Sequence, residues 1–315
     1  MTVSIFNRYA FSISVAAALL AGCGGSQPMI GAPGAASAVQ QAHSHRLTFN
    51  YTGSKQTFKV PTGVTLIKVA ARGAGGGGTP NSYDQEGGRG GRVLAELPAI
   101  PGERLAIFVG GTAHVTSGGY NGGGDGNFLS TDVSSYGGGG ATDIREGGTA
   151  LEDRILVAGG GGGLGGAADG YGGGDGDGGS RIAGKGEHGG GNITRHCHSF
   201  GFGGSGGSQR DGGRGGRGAF GRDGGCRAGA GAAGELGVGG KGGGGDGGGG
   251  GGGGGGYYGG GGGGGGMYEL YPEHWFGNGG GGGGGSSFVE PTARNVRSWK
   301  GWKYATGNGQ VVISW

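Results

Sequence analysis

Three uninterrupted glycine runs constrain the fold of this chain more than any other feature. Gly247–Gly256 is a run of ten, Gly259–Gly266 a run of eight and Gly279–Gly285 a run of seven. Glycine has no side chain to bury, and ordering its backbone costs more entropy than for any other residue. Such a tract is a flexible coil unless interactions other than a hydrophobic core hold it in place.

The ordered alternative is the polyglycine II helix, an extended threefold rod that rises about 3.1 Å per residue. The rod has no internal hydrogen bonds, so neighbouring rods must satisfy its N–H and C=O groups. The run of ten would span roughly 31 Å and the run of eight roughly 25 Å, lengths that allow them to lie side by side. Collagen is excluded, because no Gly-X-Y register is present and the chain has only eight prolines. From the runs alone, both interpretations stay open.

The composition limits the size of any conventional core. Glycine supplies 102 of the 315 residues and only 32% are hydrophobic, so part of the chain at most can build a core of side chains. The length allows one or two domains. The formal charge of +3 is too small to indicate a nucleic-acid partner.

The N-terminal residues predict export and a lipid anchor. Arg8 precedes an apolar stretch, Ala10–Leu20, that is too short to cross a bilayer and is typical of a secretory signal. The tetrapeptide Leu20–Cys23 resembles the lipobox of bacterial lipoproteins, which implies cleavage after residue 22 and lipid attachment to Cys23. The alternative is an ordinary signal peptide with a coincidental cysteine.

A lipid on Cys23 would place the chain in the bacterial cell envelope, with the membrane as its first partner. Gly24 stands where lipoproteins retained at the inner membrane often carry Asp, which favours the outer membrane or cell surface. Residues 23–45 are small, polar and interrupted by proline, so we expect a flexible tether.

The remaining cysteines, Cys197 and Cys226, predict a disulfide, because two cysteines in an exported chain usually pair. The bond would close a loop of roughly 30 residues and stabilise the fold by about 3 kcal/mol.

Alternating apolar residues and turn signals predict about eight short strands and no helix in the mature chain. The first two, around Leu47–Phe49 and Gln56–Val60, are expected to pair about a turn at Tyr51–Ser54. The others are Val64–Ala70, Arg92–Leu97, Leu105–Val109, Ala141–Ile144, Arg154–Ala158, Ser286–Val289 and Gln310–Trp315. Strands at about 46–110, 141–158 and 286–315 predict an antiparallel β-sandwich, with polyglycine rods inserted within 111–140 and 159–285.

The segment Thr48–Gly78 resembles the start of the glycine-rich domain found in anaplastic lymphoma kinase and leukocyte tyrosine kinase receptors and in bacterial exported proteins. Further matches follow in the family's order: Gly137–Arg145, Arg154–Gly163, Gly279–Val289 and Gly307–Trp315. Together they cover nearly all of residues 46–315.

The resemblance implies an all-β fold, a jelly-roll-like antiparallel sandwich carrying a bundle of polyglycine II helices. In the receptors this module is extracellular and binds cytokine ligands. Only the ectodomain is matched, so the resemblance implies neither a kinase domain nor an enzymatic activity for this chain.

Four short motifs suggest chemistry, and each has a structural interpretation that we favour. Ser205 fits the G-x-S-x-G pattern by chance in glycine-rich sequence, since no helix follows it. His196, Cys197 and His198, with His188 nearby, lack the spacing of a zinc site. The others are Asp175 and Asp177, which lack the calcium-binding repeat, and Arg210–Arg217, which resembles RNA-binding RGG segments. We expect no cofactor, metal or catalytic residue.

Two aromatic segments are candidate binding sites. Met267–Phe276 contains Tyr268, Tyr271, Trp275 and Phe276, whose flat faces could stack on sugars or anchor a protein; a plug between the rods and the sandwich is the alternative. Arg294–Tyr304 interleaves Arg297 and Lys300 with Trp299 and Trp302, a combination suited to anionic glycans or headgroups. Here the alternative is an ordinary loop with packed tryptophans.

These observations predict a lipid-anchored, non-catalytic binding or adhesion module of the cell surface, with a glycan or surface protein as partner. The main alternative is a structural spacer or envelope-matrix protein built of the rods, of which an ice-binding surface is a variant. An envelope hydrolase acting through Ser205 is a third hypothesis.

Overall fold

Short alternating strands form close to where the sequence predicts them. The computed structural model describes residues 45–78, 86–127, 135–167, 173, 176–191, 193, 197–221, 226–269 and 275–315. Within these ranges there is no α-helix, and the one helical element is the 3-10 turn Leu151–Asp153.

The described residues form fourteen strands, of which seven have only two to four residues. In chain order they are β1 (Arg46–Asn50), β2 (Gln56–Lys59), β3 (Leu66–Arg72), β4 (Arg92–Pro98), β5 (Arg104–Phe108), β6 (Thr142–Arg145), β7 (Arg154–Ala158), β8 (Cys197–His198), β9 (Phe220–Gly221), β10 (Tyr268–Glu269), β11 (Trp275–Phe276), β12 (Phe288–Val289), β13 (Arg294–Trp299) and β14 (Gln310–Ser314).

Ten of these strands make two five-stranded antiparallel sheets. The first sheet has the order β1-β14-β3-β4-β13, and the second sheet has the order β12-β7-β6-β5-β2. The small pairs β8-β9 and β10-β11 lie outside both sheets. The predicted all-β, antiparallel architecture is confirmed at this level.

The two sheets share one apolar core, which makes the arrangement sandwich-like. Ile67 and Ile313 from the first sheet and Ile107, Ile144 and Leu156 from the second are fully buried. Burial of each such side chain contributes about 1.5–3 kcal/mol. Inward residues alternate with outward ones on the first sheet, as in β4, so its other face is free to carry polar side chains.

The predicted pairing of the first two strands is wrong. β1 pairs with β14 in the first sheet, and β2 pairs with β5 in the second. The chain crosses between the sheets, so Phe49 and Phe58 meet edge to face with ring centroids 6.3 Å apart. Alternation of apolar residues identifies a strand but not its partner, because any strand with one apolar face can use either sheet.

Several strand boundaries shift from the prediction, and one strand was not predicted. β3 is Leu66–Arg72 rather than Val64–Ala70, and the inward set is Ile67, Val69 and Ala71, whereas Leu66 is 39% exposed. Residues Arg294–Trp299, expected in a loop, form β13 at the edge of the first sheet. Five of the six residues of β13 are exposed, so its sequence lacks the apolar alternation that predicts a strand with one buried face.

The glycine-rich sequence forms extended segments joined to one another by backbone hydrogen bonds. We call these the glycine segments: residues 73–77, 87–91, 122–126, 137–140, 159–166, 176–178, 184–190, 201–207, 212–218, 229–234, 239–243, 249–256, 259–266 and 279–285. The network thus includes residues before 111, in the region that the sequence assigns to the sandwich.

The hydrogen bonds of the glycine segments repeat every three residues. In segment 249–256, N–H groups three positions apart donate to one neighbouring segment, and successive N–H groups donate to different neighbours. Gly250 and Gly253 donate to Gly243 and Gly240, Gly251 and Gly254 to Gly280 and Gly283, and Gly252 and Gly255 to Tyr136 and Gly139, at 2.7–2.9 Å. One segment is therefore held from several sides at once.

Close backbone approach explains why these positions are glycine. A Cβ built on Gly263 would collide with the carbonyl oxygen of Gly280, and one on Gly253 with that of Gly260. All three long runs are buried along their whole length, yet their nearest neighbours are backbone atoms, apart from the side chains of Asn127 and Ser135 beside Gly249. A methyl group at either position would force the segments apart.

Two arginines of the second sheet are buried, and one of them joins the sheet to the glycine segments. Arg154 of β7 donates to the carbonyl oxygens of Leu151 at 2.7 Å, Gly256 at 2.8 Å and Tyr257 at 3.1 Å, and so caps the end of the run of ten. Arg145 of β6 pairs with the buried Asp143 at 2.7 Å. Charged groups out of water need such partners, so these bonds fix the orientation of both arginines.

We predict that Gly263→Ala lowers the free energy of unfolding by about 1–3 kcal/mol or more, because its Cβ meets backbone that cannot rotate away. Gly307→Ala is the matched control, since a Cβ there meets no atom within 4 Å. Urea denaturation of both variants measures the difference. Equal stabilities would contradict the close packing of these segments.

Arg154→Leu is expected to cost at least about 2 kcal/mol of unfolding free energy, since it leaves buried carbonyl oxygens without their charged donor. Arg104→Leu on β5 removes an exposed arginine and should stay within about 0.5 kcal/mol of the parent chain. Thermal and urea unfolding of the two variants would be compared, and an equal loss in both would refute the capping role.

Candidate functional site

The outward face of the first sheet carries the polar side chains that point away from the core. Antiparallel register places them in three rows across the sheet. The rows are Asn50, Gln310, Arg72, Arg92 and Trp299; then Thr48, Val312, Ala70, Leu94 and Arg297; then Arg46, Ser314, Lys68, Glu96 and Arg294. We call this surface the basic face.

At the centre of the basic face the middle row has the short side chains of Val312 and Ala70, and Arg297 stands at its β13 end, whereas the rows on either side carry most of the long side chains. Ala70 and Val312 therefore lie at the bottom of a depression with arginines above them. One groove of about 470 Å³ is lined by Arg46, Lys68 and Glu96 among others. A second, of about 290 Å³, is lined by Arg46, Arg72, Arg92, Trp302 and Tyr304. Arg46, Ala70 and Val312 line both grooves, so the two are continuous.

Tryptophans form the wall at one end of the basic face. The guanidinium carbon of Arg92 lies 4.4 Å from the ring centroid of Trp302 and 5.3 Å from that of Trp299. The two indole rings are 5.7 Å apart, and Tyr304 follows at 6.0 Å from Trp302. Contacts of a cation with aromatic faces each contribute about 0.5–1 kcal/mol at exposed sites.

Local backbone geometry holds this wall in place. Gly301 has φ 59°, in the left-handed region, and so permits the turn that brings Trp302 back beside Trp299. The Trp302 N–H donates to Gly90 at 2.9 Å, which ties the turn to a glycine segment. Arg72 Nη1 donates to the Tyr304 carbonyl at 3.1 Å.

The charges of the basic face are unbalanced. Arg72 and Arg92 stand directly opposite each other on β3 and β4, an arrangement of like charges that disfavours the strand pair. Within the described part of the chain, no carboxylate lies within 4 Å of either guanidinium. Glu96 is engaged by Lys68 at 3.7 Å and by Asn295 at 2.7 Å. An anion from outside would relieve this repulsion.

The structure brings only part of the predicted second aromatic segment together. Trp299 and Trp302 are in contact, and the register places Arg297 on the same face. Lys300 is exposed in the turn after β13. Sequence reasoning missed Arg46, Arg72 and Arg92, because β14 brings Arg46 to this face and β13 brings the tryptophans beside Arg92, both through pairing of strands about 200 residues or more apart in the chain.

The first aromatic segment forms a short hairpin. Tyr268 of β10 lies opposite Phe276 of β11, and Glu269 opposite Trp275. The Tyr268 N–H donates to Asp246 Oδ1 at 3.1 Å. Tyr271 lies outside the described residues. The aromatic cluster expected in Met267–Phe276 therefore stays a prediction.

The cysteine and histidine motif forms a disulfide beside an aromatic row. Cys197 and Cys226 are joined, with Cα atoms 5.7 Å apart, and both are buried. The row lies next to them: His198 stacks on Phe220 with centroids 4.7 Å apart, and His188 meets Phe202 at 4.8 Å. The spacing of Phe200 and Phe202, two residues apart in the sequence, is the signal from which this row could have been predicted. His196 lies outside the described residues.

The other motifs have structural surroundings. Both backbone groups of Ser205 are engaged, since its N–H donates to Arg214 and its carbonyl accepts from Gly261. Asp177 accepts from the Arg89 N–H at 3.0 Å, whereas Asp175 is outside the described residues. Arg217 of the RGG segment lies over Phe220 at 4.2 Å. Among the residues with a described placement, no three His, Cys, Asp or Glu side chains are grouped as metal ligands would be.

Comparison of the chain with protein-family models and with curated proteins finds no match. In the described ranges, no helix has the length and apolar character needed to cross a membrane. The interpretation of the site therefore rests on its own geometry.

We predict that the fold loses stability through His188 as the pH falls. Its Nδ1 accepts the Gly203 N–H at 3.0 Å, which requires the neutral ring. Desolvation, and then the charge of Lys185, lower the pKa of His188 below its ordinary value of 6.5, although Glu187 acts in the opposite direction. The unfolded chain therefore binds the proton more readily, and this contribution is present above pH 6.5 and lost as the pH falls through the lowered pKa.

Urea denaturation at pH 7.5 and pH 5.0 tests this, with His188→Gln as the control. The parent chain should lose more stability than the variant on acidification. An NMR titration should give His188 a pKa below 6.5 that rises in Lys185→Ala. An unshifted pKa would contradict the prediction.

Proposed function

We propose that this chain is a lipid-anchored, non-catalytic binding or adhesion module of the bacterial cell surface. One observation carries the proposal: the basic face presents Arg72 and Arg92 without a carboxylate partner among the described residues, beside exposed portions of Trp299 and Trp302. Arginine and aromatic side chains are the residues that most often dominate binding energy at interfaces. The face is concave, which allows a ligand to be enclosed on more than one side.

The glycine segments supply a rigid support for this face. We infer that they are polyglycine II helices in a bundle. The three-residue repeat of hydrogen bonds, the several neighbours of each segment and the lack of space for any Cβ support this assignment. A jelly-roll-like path of the chain through the two sheets is part of the same proposal.

The resemblance to the glycine-rich domain of receptor ectodomains agrees with a binding role. Its fairly specific motifs fall on β6 and β7, where Arg154 ties the sandwich to a glycine segment and Arg145 pairs with Asp143. These motifs therefore belong to the structural framework of the fold.

The lipid anchor at Cys23 lies outside the described residues and is proposed from the Leu20–Cys23 tetrapeptide. Several acyl chains on one residue hold a protein stably at a membrane without a transmembrane helix. Metabolic labelling with a clickable fatty acid tests it, with Cys23→Ser as the unlabelled control. Labelling that persists in that variant would refute the assignment.

A structural spacer or envelope-matrix protein is the second candidate. The observation that favours it is the extent of the hydrogen-bonded glycine segments, which fill most of residues 159–285. This role requires no saturable ligand. A spacer would also retain its function after the basic face is neutralised.

The deciding experiment is a binding screen with the full chain, purified in detergent, against a glycan array and against intact cells. We expect saturable binding that falls at least about tenfold in Trp302→Ala, since loss of a central aromatic commonly costs more than 1 kcal/mol. Ile100→Ala, an exposed apolar residue between β4 and β5, is the control. Absence of saturable binding to every glycan and cell type would reject the binding module in favour of the spacer.

A further inference from the structure

We infer that the ligand of the basic face is an acidic polysaccharide, whose anionic groups bind Arg72 and Arg92 and whose sugar ring packs on Trp302. The inference rests on the proposed function and specifies its ligand. It involves Arg46, Arg72 and Arg92, which lie outside the two aromatic segments that the sequence predicts as candidate binding sites.

The smaller groove fits an anion. Three arginines line it and no carboxylate does. Arg92 is held by its contacts with two indole rings, and its guanidinium donates to no described residue. Arg72 is fixed by its bond to the Tyr304 carbonyl, and its Nε is buried without an acceptor in the described part of the chain. Guanidinium groups bind carboxylate, sulfate or phosphate through paired N–H donors.

The arrangement along the face fits a polymer. Arg72 and Arg92 occupy one outer row, and Arg46 and Lys68 occupy the other, four residues away along their strands. At about 3.3 Å per residue, the two basic rows are roughly 13 Å apart. Between them lies the middle row, whose Ala70, Leu94 and Val312 are apolar and whose β13 end carries Arg297. A chain with spaced charges and apolar C–H surface between them matches this pattern.

Aromatic walls favour a glycan over other anionic polymers. The ring of Trp302 is partly exposed beside the arginines and can stack on the C–H face of a sugar. Duplex DNA carries a charge about every 1.7 Å along its axis, far denser than two basic rows separated by apolar residues. A membrane surface is flat, whereas the cations here surround a recessed floor.

The test is calorimetric titration of the full chain in detergent with polygalacturonate and with its fully methyl-esterified form. The two probes share a backbone and differ in charge. We expect saturable binding of the acid polymer, at least tenfold weaker binding of the ester, and weakening of the acid polymer's binding as NaCl rises from 0.05 to 0.5 M.

Variants test which residues bind the polymer. Arg72→Gln with Arg92→Gln should reduce affinity for polygalacturonate at least tenfold and flatten its salt dependence. Trp302→Ala should reduce it several-fold and Trp302→Phe should restore most of the loss, which a folding defect would not do. Arg104→Gln, an exposed arginine on the second sheet, should bind like the parent chain.

The outcomes separate the two proposals. Equal binding of acid and ester, or tighter binding of a DNA duplex or of phosphatidylglycerol vesicles, overturns the acidic polysaccharide but leaves a binding module. Binding that is unchanged in the double arginine variant overturns the site. Failure to bind polygalacturonate together with a blank glycan and cell screen overturns the proposed function as well.

Discussion

The fold depends on hydrogen bonds between glycine segments that have almost no side chains. A conventional domain is held by apolar burial, but here the long runs are buried against backbone carbonyls, as in the approach of Gly263 to Gly280. Each bond contributes modestly, and each unpaired buried group would cost more than a bond contributes. The network is therefore stable only when it is nearly complete, and a single Cβ disturbs several neighbours at once. Glycine is required by this geometry, despite its entropic cost.

The sandwich and the glycine segments depend on each other. The two sheets bury enough Ile, Leu and Val to form a core, and their strand ends lead the chain into the segments. Arg154 holds the junction with directed bonds to the end of the run of ten, and Tyr257 stacks on Phe288 of β12 beside it. The disulfide between Cys197 and Cys226 constrains a further part of the chain, beside the aromatic row that contains Phe202. Order in the glycine segments therefore depends on groups contributed by the sandwich.

The basic face follows from this architecture. Because the first sheet buries only one side, its other side carries arginines at alternate positions. The Gly301 turn then places Trp302 next to them. Opposed Arg72 and Arg92 disfavour the sheet in isolation, and such a cost is often found where a site is built to receive a ligand. A rigid support keeps these side chains in place before binding, which lowers the entropy lost when a ligand is bound.

The sequence alone determined the all-β class, most strand positions and the two aromatic segments, because apolar alternation and turn residues act locally. It placed β7 at Arg154–Ala158 with the observed boundaries and identified Trp299 and Trp302. It paired β1 with β2 incorrectly and left β13 in a loop, since alternation does not select a partner and an exposed edge strand lacks a buried face. Only the tertiary structure decided which residues join the tryptophans. Arg72 and Arg92 meet through the pairing of consecutive strands β3 and β4, and the tryptophans join them through the pairing of β4 with the distant strand β13. The register of both pairings is set by burial of the opposite face of the sheet and by no signal near the arginines themselves.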